Sequence, residues 1–317
     1  MKNIAITGAA GYLGQKLLKQ LEQHSSVEKI VAVDIRKLHD EMLSEKTDFH
    51  LFDIRAPELE PLFKAEKVDC VIHLAFVVAP IRNKNEMHSI NREGMANVLR
   101  ATAACGARQL IVASSTSAFG AFPDNPAWLD ENAPLREHNG YAYAEDKFAV
   151  EKDLQGFSEN NAHVKIAVVR PCIIYGPGVD NYLSRFLLNW PFLIQIGAAR
   201  PEMQFIHEDD VVRALVLVFE QEAVGYFHIV GEGLISTKKI AELAGIKILP
   251  LPPWIAYPLI NLLYLLRFPG IEAPAVMLDF IRYRWTASDL LTRERLKFSP
   301  RYSSEEVISE LIKTKRT

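Results

Sequence analysis

The chain has 317 residues, of which 49% are apolar and 24% charged, with a formal net charge of −3. That length holds one large α/β unit or two ordinary domains, and the balanced charge gives no electrostatic reason to expect nucleic acid as a partner. Three cysteines (Cys70, Cys105 and Cys172) stand far apart without metal-ligand spacing, so neither a metal centre nor a disulfide framework is expected.

Residues 1 to 7 run straight into a strand, which leaves no room for a signal peptide. No apolar run reaches the roughly 18 residues of a membrane span, so a cytoplasmic location is expected. Residues 3–7 read as a short buried strand, followed by a turn from Gly8 to Gly14 and a helix to about Glu22. In that turn Gly8 allows the tight bend, Gly11 lets the backbone approach a pyrophosphate, and Gly14 lets the helix pack on the strand. The phosphates would lie on free amides at the helix N-terminus, where the helix dipole favours anions. The spacing is GxxGxxG rather than the GxGxxG of the usual dinucleotide turn.

Residues 29–34 form the second strand, and Asp34 closes it about 20 residues beyond the last glycine. A carboxylate there accepts hydrogen bonds from an adenosine ribose and repels a 2′-phosphate, which favours NAD over NADP. Arg36 keeps NADP open, because a guanidinium pairs with phosphate. Residues 50–54 end a third strand, with Asp53 placed to accept from an adenine amino group. A fourth strand, 68–74, continues from Leu74 into Ala75 and Phe76, and the small Ala75 lets the backbone lie along a cofactor.

A long helix over 84–105 contains Asn91, and a fifth strand over 109–113 runs into Ser114, Ser115, Thr116 and Ser117. Hydroxyls at the carboxyl end of a parallel strand face the ligand crevice, although an isolated serine run also reads as turn residues bonding their own backbone. The helix predicted over 141–161 puts Tyr143 and Lys147 on one face, a turn apart. A nearby ammonium stabilises a phenolate and lowers its pKa from about 10, which makes the pair an acid/base unit. A sixth strand, 163–170, is broken by Pro171 and continues from Cys172 to Gly178. Strands alternating with helices through residue 170 specify an α/β fold, a doubly wound parallel sheet of the Rossmann kind.

Beyond residue 178 the alternation decays. A strand over 203–207, a helix capped by Asp209 or Asp210, and a strand over 226–230 return to the main sheet. The expected division is therefore 1–178 plus 201–230 for the dinucleotide, and 179–200 plus 231–317 for a smaller, mostly helical substrate lobe. Capping explains the run from His207 to Asp210 more simply than a metal does. The apolar stretch 254–268 reads first as a core or dimer-interface helix pair interrupted at Pro258. A lipophilic lid or a segment dipping into a membrane surface is the alternative.

Thr7 to Gly14, Asp34, Asp53-Ile54, His73-Leu74-Ala75, Ser114-Ser115, Tyr143 with Lys147, Arg170-Pro171 and Tyr175-Gly176-Pro177 together resemble the extended short-chain dehydrogenase/reductase superfamily. This is the group of NAD-dependent epimerases and dehydratases, and the resemblance covers residues 1 to about 230. It implies that Tyr143 is the acid/base and that Lys147 binds the nicotinamide ribose and tunes Tyr143. Ser115 would orient the substrate, with Ser117 as the nearest alternative donor. It further implies cofactor contacts at Gly8, Gly11, Tyr12, Leu13, Asp34, Asp53, Ile54, Ala75, Asn91 and Cys172, with Arg36, Leu74, Phe76, Ser114 and Pro171 beside them. Dimerisation through the helices at 84–105 and 141–161 is implied in the same way.

The departures from that pattern bear on substrate. Sugar-nucleotide members carry an Asn where this chain has Ile173 and an Arg where it has Met203, both gripping the diphosphate. A diphosphate without those partners loses charge-assisted hydrogen bonds of about 1.5–3 kcal/mol each. Thr116-Ser117 replace the Asp-Glu of the sugar dehydratases. The expectation is an NAD-dependent oxidoreductase or epimerase acting at a secondary alcohol or ketone of a small molecule that is not a nucleotide sugar. The alternatives are a nucleotide-sugar 4-epimerase and a non-catalytic dinucleotide-binding module.

Overall fold

The computed structural model describes residues 1–179, 185 and 191–316. Residues 180–184 and 186–190, which the sequence reading assigns to the second lobe, lie outside the described residues. Near-continuous runs of Val, Ile and Ala form the inner strands and bury both faces, as parallel sheets demand, whereas the edge strand Thr47–Leu51 is polar and only half-buried. These are β1 (Lys2–Thr7), β2 (Val27–Asp34), β3 (Thr47–Leu51), β4 (Cys70–His73), β5 (Gln109–Ala113) and β6 (Lys165–Pro171). With Gly225–Ile229 they make one seven-stranded sheet, all parallel, with β1 between β2 and β4. The chain winds outward to β3, then crosses back to β4 on the other side of β1. That reversal opens a crevice at the carboxyl ends of the strands.

Helices cover both faces. On one, α1 (Tyr12–Glu22) and the helix Glu208–Glu220 bury Leu17, Leu18, Leu21, Val211, Leu215 and Phe219 against the sheet. On the other lie α2 (Leu59–Ala65), α3 (Lys84–His88), α4 (Gly94–Cys105) and α5 (Ala142–Asn160), with Phe63, Met95, Val98, Val150 and Leu154 in the shared cluster.

Four sequence expectations change locally. The strand expected over 203–207 divides at Gln204, and Phe205–His207 pairs with Ile173–Tyr175 in a two-stranded sheet of its own rather than returning to the main sheet. The third strand stops at Leu51, so Asp53 and Ile54 sit in the turn beyond it, where Arg55 N donates to the Asp53 carboxylate at 2.8 Å. The helix expected over 84–105 is interrupted by a π turn at Ser89–Glu93. The helix Glu208–Glu220 is capped by His207, whose Nδ1 accepts from Asp209 N at 3.1 Å, and Asp209 and Asp210 lie inside its first turn.

A second cluster joins Tyr175, Leu193, Ile196, Met203, Phe205, Ile240, Ile260, Leu278 and Ile308 beside the carboxyl edge of the sheet. Its frame is built from Phe192–Ile196 paired with Lys247–Leu251, the helices Thr237–Ala244, Pro253–Leu265 and Ser304–Arg316, and a 3-10 segment Ala275–Ile281. Ala287, Leu296 and Phe298 pack back into the cluster under the sheet. The helix Pro253–Leu265 runs unbroken through Pro258, and only Ala256 and Ile260 of it are buried. The expectation of a helix pair interrupted at Pro258 and placed in a core is therefore replaced by one helix lying on the surface.

Candidate active site

The glycine turn closes more tightly than any side chain permits. Gly8 has φ +78°, and a Cβ there would stand 2.5 Å from Ala75 N; a Cβ on Gly14 would stand 2.2 Å from Gly8 O. The strand, turn and helix thus meet backbone to backbone. Gly11 precedes α1 with no side chain capping it, so the helix presents first-turn amides to an anion. This cradle fits a pyrophosphate.

Above it lies a cavity of about 890 Å³, large for a single small ligand. Of the eighteen positions expected to form the site, all but Asn91 line it. At one end stand Gly8, Gly11, Tyr12, Leu13, Asp34, Arg36, Asp53 and Ile54; Leu74, Ala75, Phe76, Ser114, Ser115, Tyr143, Lys147, Pro171 and Cys172 follow toward the middle. Asp34 is buried, accepting from Ala10 N on one oxygen and from Arg36 N on the other, both at 2.9 Å. Its carboxylate is thus fixed by the backbone of the turn it serves. The Arg36 side chain is exposed and 3.6 Å from Asp34 Oδ1. Arg55, bonded at 2.7 Å, holds the Asp53 carboxyl below the usual carboxylate range.

Tyr143 enters the cavity from the first turn of α5, opposite the serine run that ends β5. The Ser115 and Ser117 hydroxyls pull the Tyr143 pKa down, but burial is the larger influence and leaves it above its usual value. Lys147 departs from expectation. Its Nζ donates to Ala113 O at 2.8 Å and lies 3.4 Å from the centre of the Phe76 ring. It is 5.8 Å from the centre of the Tyr143 ring and is not among the groups that shift that phenol. Burial lowers the Lys147 pKa to about 7, against the pull of Glu151 and Asp146. Its charge acts instead on His73, which burial and Lys147 together lower to about 3 while Thr7 Oγ1 lies 2.7 Å from its Nδ1.

Asn91 is a correction. It is fully buried behind the cavity wall, its Oδ1 accepting from Val77 N at 2.8 Å and its Nδ2 donating to Asp146 at 2.9 Å. It ties Val77, in the cavity wall, to α5 and does not itself line the cavity. Asp146, on α5 between Tyr143 and Lys147, also receives Arg92 Nε at 2.6 Å and sits 2.5 Å from His88 Nδ1. The π turn thus ties α5 to the loop that carries Val77. Sequence reasoning missed this anchor, although a charged Asp three residues after Tyr143 was a readable signal.

It also missed the far wall. Tyr141, Ile173, Met203, Met277, Phe280, Ile281 and Trp285 close the cavity beyond Tyr143. The charged side chains that line the cavity are Lys16, Asp34, Arg36, Asp53 and Lys147, and none belongs to this wall among the described residues. Ile173 and Met203 lie in it, whereas Arg200 is exposed and outside it.

Residues 4–230 match the model of the NAD dependent epimerase/dehydratase family. The chain belongs to that family. Membership brings NAD as the cofactor, in keeping with the glycine cradle and the buried Asp34. Relatives include an uncharacterized protein of Mycobacterium tuberculosis, 24% identical over 257 residues, covering 79% of this chain and 68% of that one. Short-chain dehydrogenase/reductase family 42E member 1 of Mus musculus is 28% identical over 233 residues, covering 69% and 58%. Among solved structures, MoeE5 in complex with UDP-glucuronic acid and NAD superposes with a TM-score of 0.75 at 23% identity, over 99% of both chains. UDP-glucose 4-epimerase of Thermotoga maritima, solved with UDP-glucose, gives 0.73 at 20% identity over 99% and 98%. At those identities the superpositions establish the epimerase/dehydratase fold.

Proposed function

We propose that this epimerase/dehydratase-family chain is an NAD-dependent oxidoreductase acting at a secondary alcohol or ketone of a neutral, apolar small molecule. The observation that carries the reading is the convergence of Ser115, Ser117, Tyr143 and Lys147 at the centre of one cavity whose far wall is uncharged among the described residues. The nicotinamide, when bound, supplies the acceptor or donor for the hydride. Ser115 and Ser117 hold the substrate oxygen. Tyr143, ionised once Lys147 turns to it, takes the hydroxyl proton during oxidation as the phenolate and gives it back as the neutral phenol during reduction. Lys147, released from Ala113 O and Phe76, bonds the ribose and offsets the negative charge that develops on Tyr143. The apolar wall excludes water from the reacting carbon and selects against a diphosphate, which would be buried there without a cationic partner among the described residues.

The test is turnover by purified protein with NAD on a panel of lipophilic secondary alcohols and ketones alongside UDP-sugars, repeated with Tyr143→Phe. Loss of a general acid/base lowers turnover by about 10²–10⁴-fold, with NAD binding retained. Near-normal turnover by Tyr143→Phe would sink the acid/base assignment. Conversion of UDP-sugars in preference to lipophilic substrates would overturn the substrate class while leaving the reaction type in place.

A further inference from the structure

Ser114 lines the cavity with its proton already committed. Its side chain is buried, and Oγ donates to Glu151 Oε1 at 2.5 Å. Glu151 lies on α5, about two turns after Tyr143 and about one after Lys147, and is fully buried. Both of its oxygens face Arg170: Nε stands 3.0 Å from one and 3.1 Å from the other, and Nη2 bonds Oε2 at 2.5 Å. Arg170 is buried as well, its guanidinium 4.3 Å from the centre of the Tyr226 ring and 4.9 Å from that of Phe119. An arginine is a donor only and keeps its charge. Facing it, Glu151 is an acceptor only, so the Ser114 proton is drawn away from the cavity.

That fixes the polarity Ser114 shows to a ligand. A hydroxyl has one proton and two lone pairs. With the proton on Glu151, lone pairs are what Ser114 has left for the cavity. The backbone beside it adds no donor. Ala113 stands opposite Val169 in the register of β5 on β6, which places Ser114 beside Arg170 and Pro171. Ser114 N donates to Val169 O at 2.7 Å and Cys172 N to Ile229 O at 3.1 Å, while Pro171 has no N–H. Ala113 O, one residue back, is another acceptor, and it holds Lys147 Nζ. A ligand group resting on Ser114 must therefore bring its own proton. The nicotinamide half of NAD carries such protons on its ribose hydroxyls and on its carboxamide. Lys147 takes the ribose in the reading above, which leaves the carboxamide amino group.

We infer that Ser114 Oγ accepts from the carboxamide amino group of the nicotinamide, and that Glu151 is the positioning residue that keeps the Ser114 proton out of the way. Both roles depend on the reading that places the nicotinamide at the Tyr143 end of the cavity. Ser114 thereby fixes how the ring is turned about its bond to the ribose, and so which face is offered to Ser115 and Tyr143.

The experiment measures Kd for NAD and for 3-acetylpyridine adenine dinucleotide, in which a methyl group replaces the amide NH2 and the carbonyl is kept. The readout is the ratio of the two in each protein, so that a general loss of affinity cancels. Wild type is compared with Ser114→Ala and with Glu151→Met/Arg170→Met, each first checked for native circular dichroism. The double variant removes both members of the buried pair, leaving neither charge alone. A neutral hydrogen bond is worth about twofold to tenfold in affinity. Ser114→Ala should therefore lower the ratio of analogue Kd to NAD Kd by about that factor. The double variant frees the Ser114 proton to turn into the cavity and should lower the ratio too. ADP, which lacks the nicotinamide half, is titrated in parallel with NAD against Lys147→Met. If Lys147→Met weakens NAD and spares ADP while Ser114→Ala keeps the wild-type ratio, the role of Ser114 is overturned and the placement of the nicotinamide stands. If Lys147→Met binds NAD as tightly as wild type, that placement fails and the role of Ser114 falls with it. A folded double variant with the wild-type ratio would overturn the part given to Glu151.

Discussion

Lys147→Met separates what the buried ammonium costs from what it does. The unfolded chain keeps this proton up to about pH 10, whereas burial lowers the folded pKa to about 7. Between those values unfolding takes up a proton, so rising pH favours the fold. At 1.36 kcal/mol per pKa unit, the charged lysine costs the folded state about 5 kcal/mol below pH 7. Methionine removes that cost. It also forfeits the bond to Ala113 O, about 1–3 kcal/mol with the carbonyl left unpaired, and the contact with Phe76, about 2 kcal/mol. The variant should therefore be at least as stable as wild type near pH 6, and more so by up to about 2 kcal/mol. By about pH 10 wild type should recover about 3–5 kcal/mol relative to it. Urea denaturation of both proteins at several pH values reads the difference directly, since other titrating groups cancel. A difference that stays flat, or grows in favour of the variant as pH rises, would refute the picture of a lysine held in place at the expense of stability. Turnover by the variant should be abolished at every pH.

Gly14→Ala sets helix propensity, worth up to about 1 kcal/mol, against a Cβ lying 2.2 Å from Gly8 O. The overlap wins, so calorimetry should show a loss of about 1–3 kcal/mol, and NAD titration should show weakened binding. Asp34→Asn should weaken NAD about ten- to hundredfold by removing a charged acceptor and narrow the preference over NADP; an unchanged NAD affinity would move the ribose elsewhere. Asp146→Asn leaves Arg92 and His88 without their carboxylate. Because Arg92 is partly exposed, the stability loss should be about 1–3 kcal/mol rather than the full value for a buried pair. Its kinetic mark should be a fall in kcat with NAD affinity nearly kept, because Asp146 positions α5 and touches no ligand.

Much of this architecture was legible because parallel strands write themselves as continuous apolar runs, and the ligand groups sit where those runs end. Asp34 followed from its spacing after the glycine turn and the serine run from its place at a strand end, whereas the individual assignments of Ser115 and Cys172 came from the family resemblance. Asn91 could not be placed, because a buried amide bonding a loop and a cofactor-contacting amide occupy the same helix position in sequence. The surface position of Pro253–Leu265 was hidden for a related reason: an apolar segment reads alike whether protein or something else is to cover it. Phe76 could be assigned to the cavity, but not its seat on the Lys147 ammonium, which depends on how α5 packs against the end of β4. The wall from Met277 to Trp285 carries no spacing signal, since pocket-lining apolar residues answer to shape rather than period.

The order in which the cavity is assembled follows from where its parts lie along the chain. Every residue of the cofactor end, from Gly8 to Cys172, is in place before the wall from Met277 to Trp285 is made. At synthesis rates of about 5–20 residues per second, the gap between them lasts on the order of 5–20 seconds. Throughout that interval the residues of that half have been synthesised, and the side still to come is apolar. NAD binding to that half favours the folded strands by mass action, so the cofactor serves as a ligand for folding before the enzyme has anywhere to put a substrate.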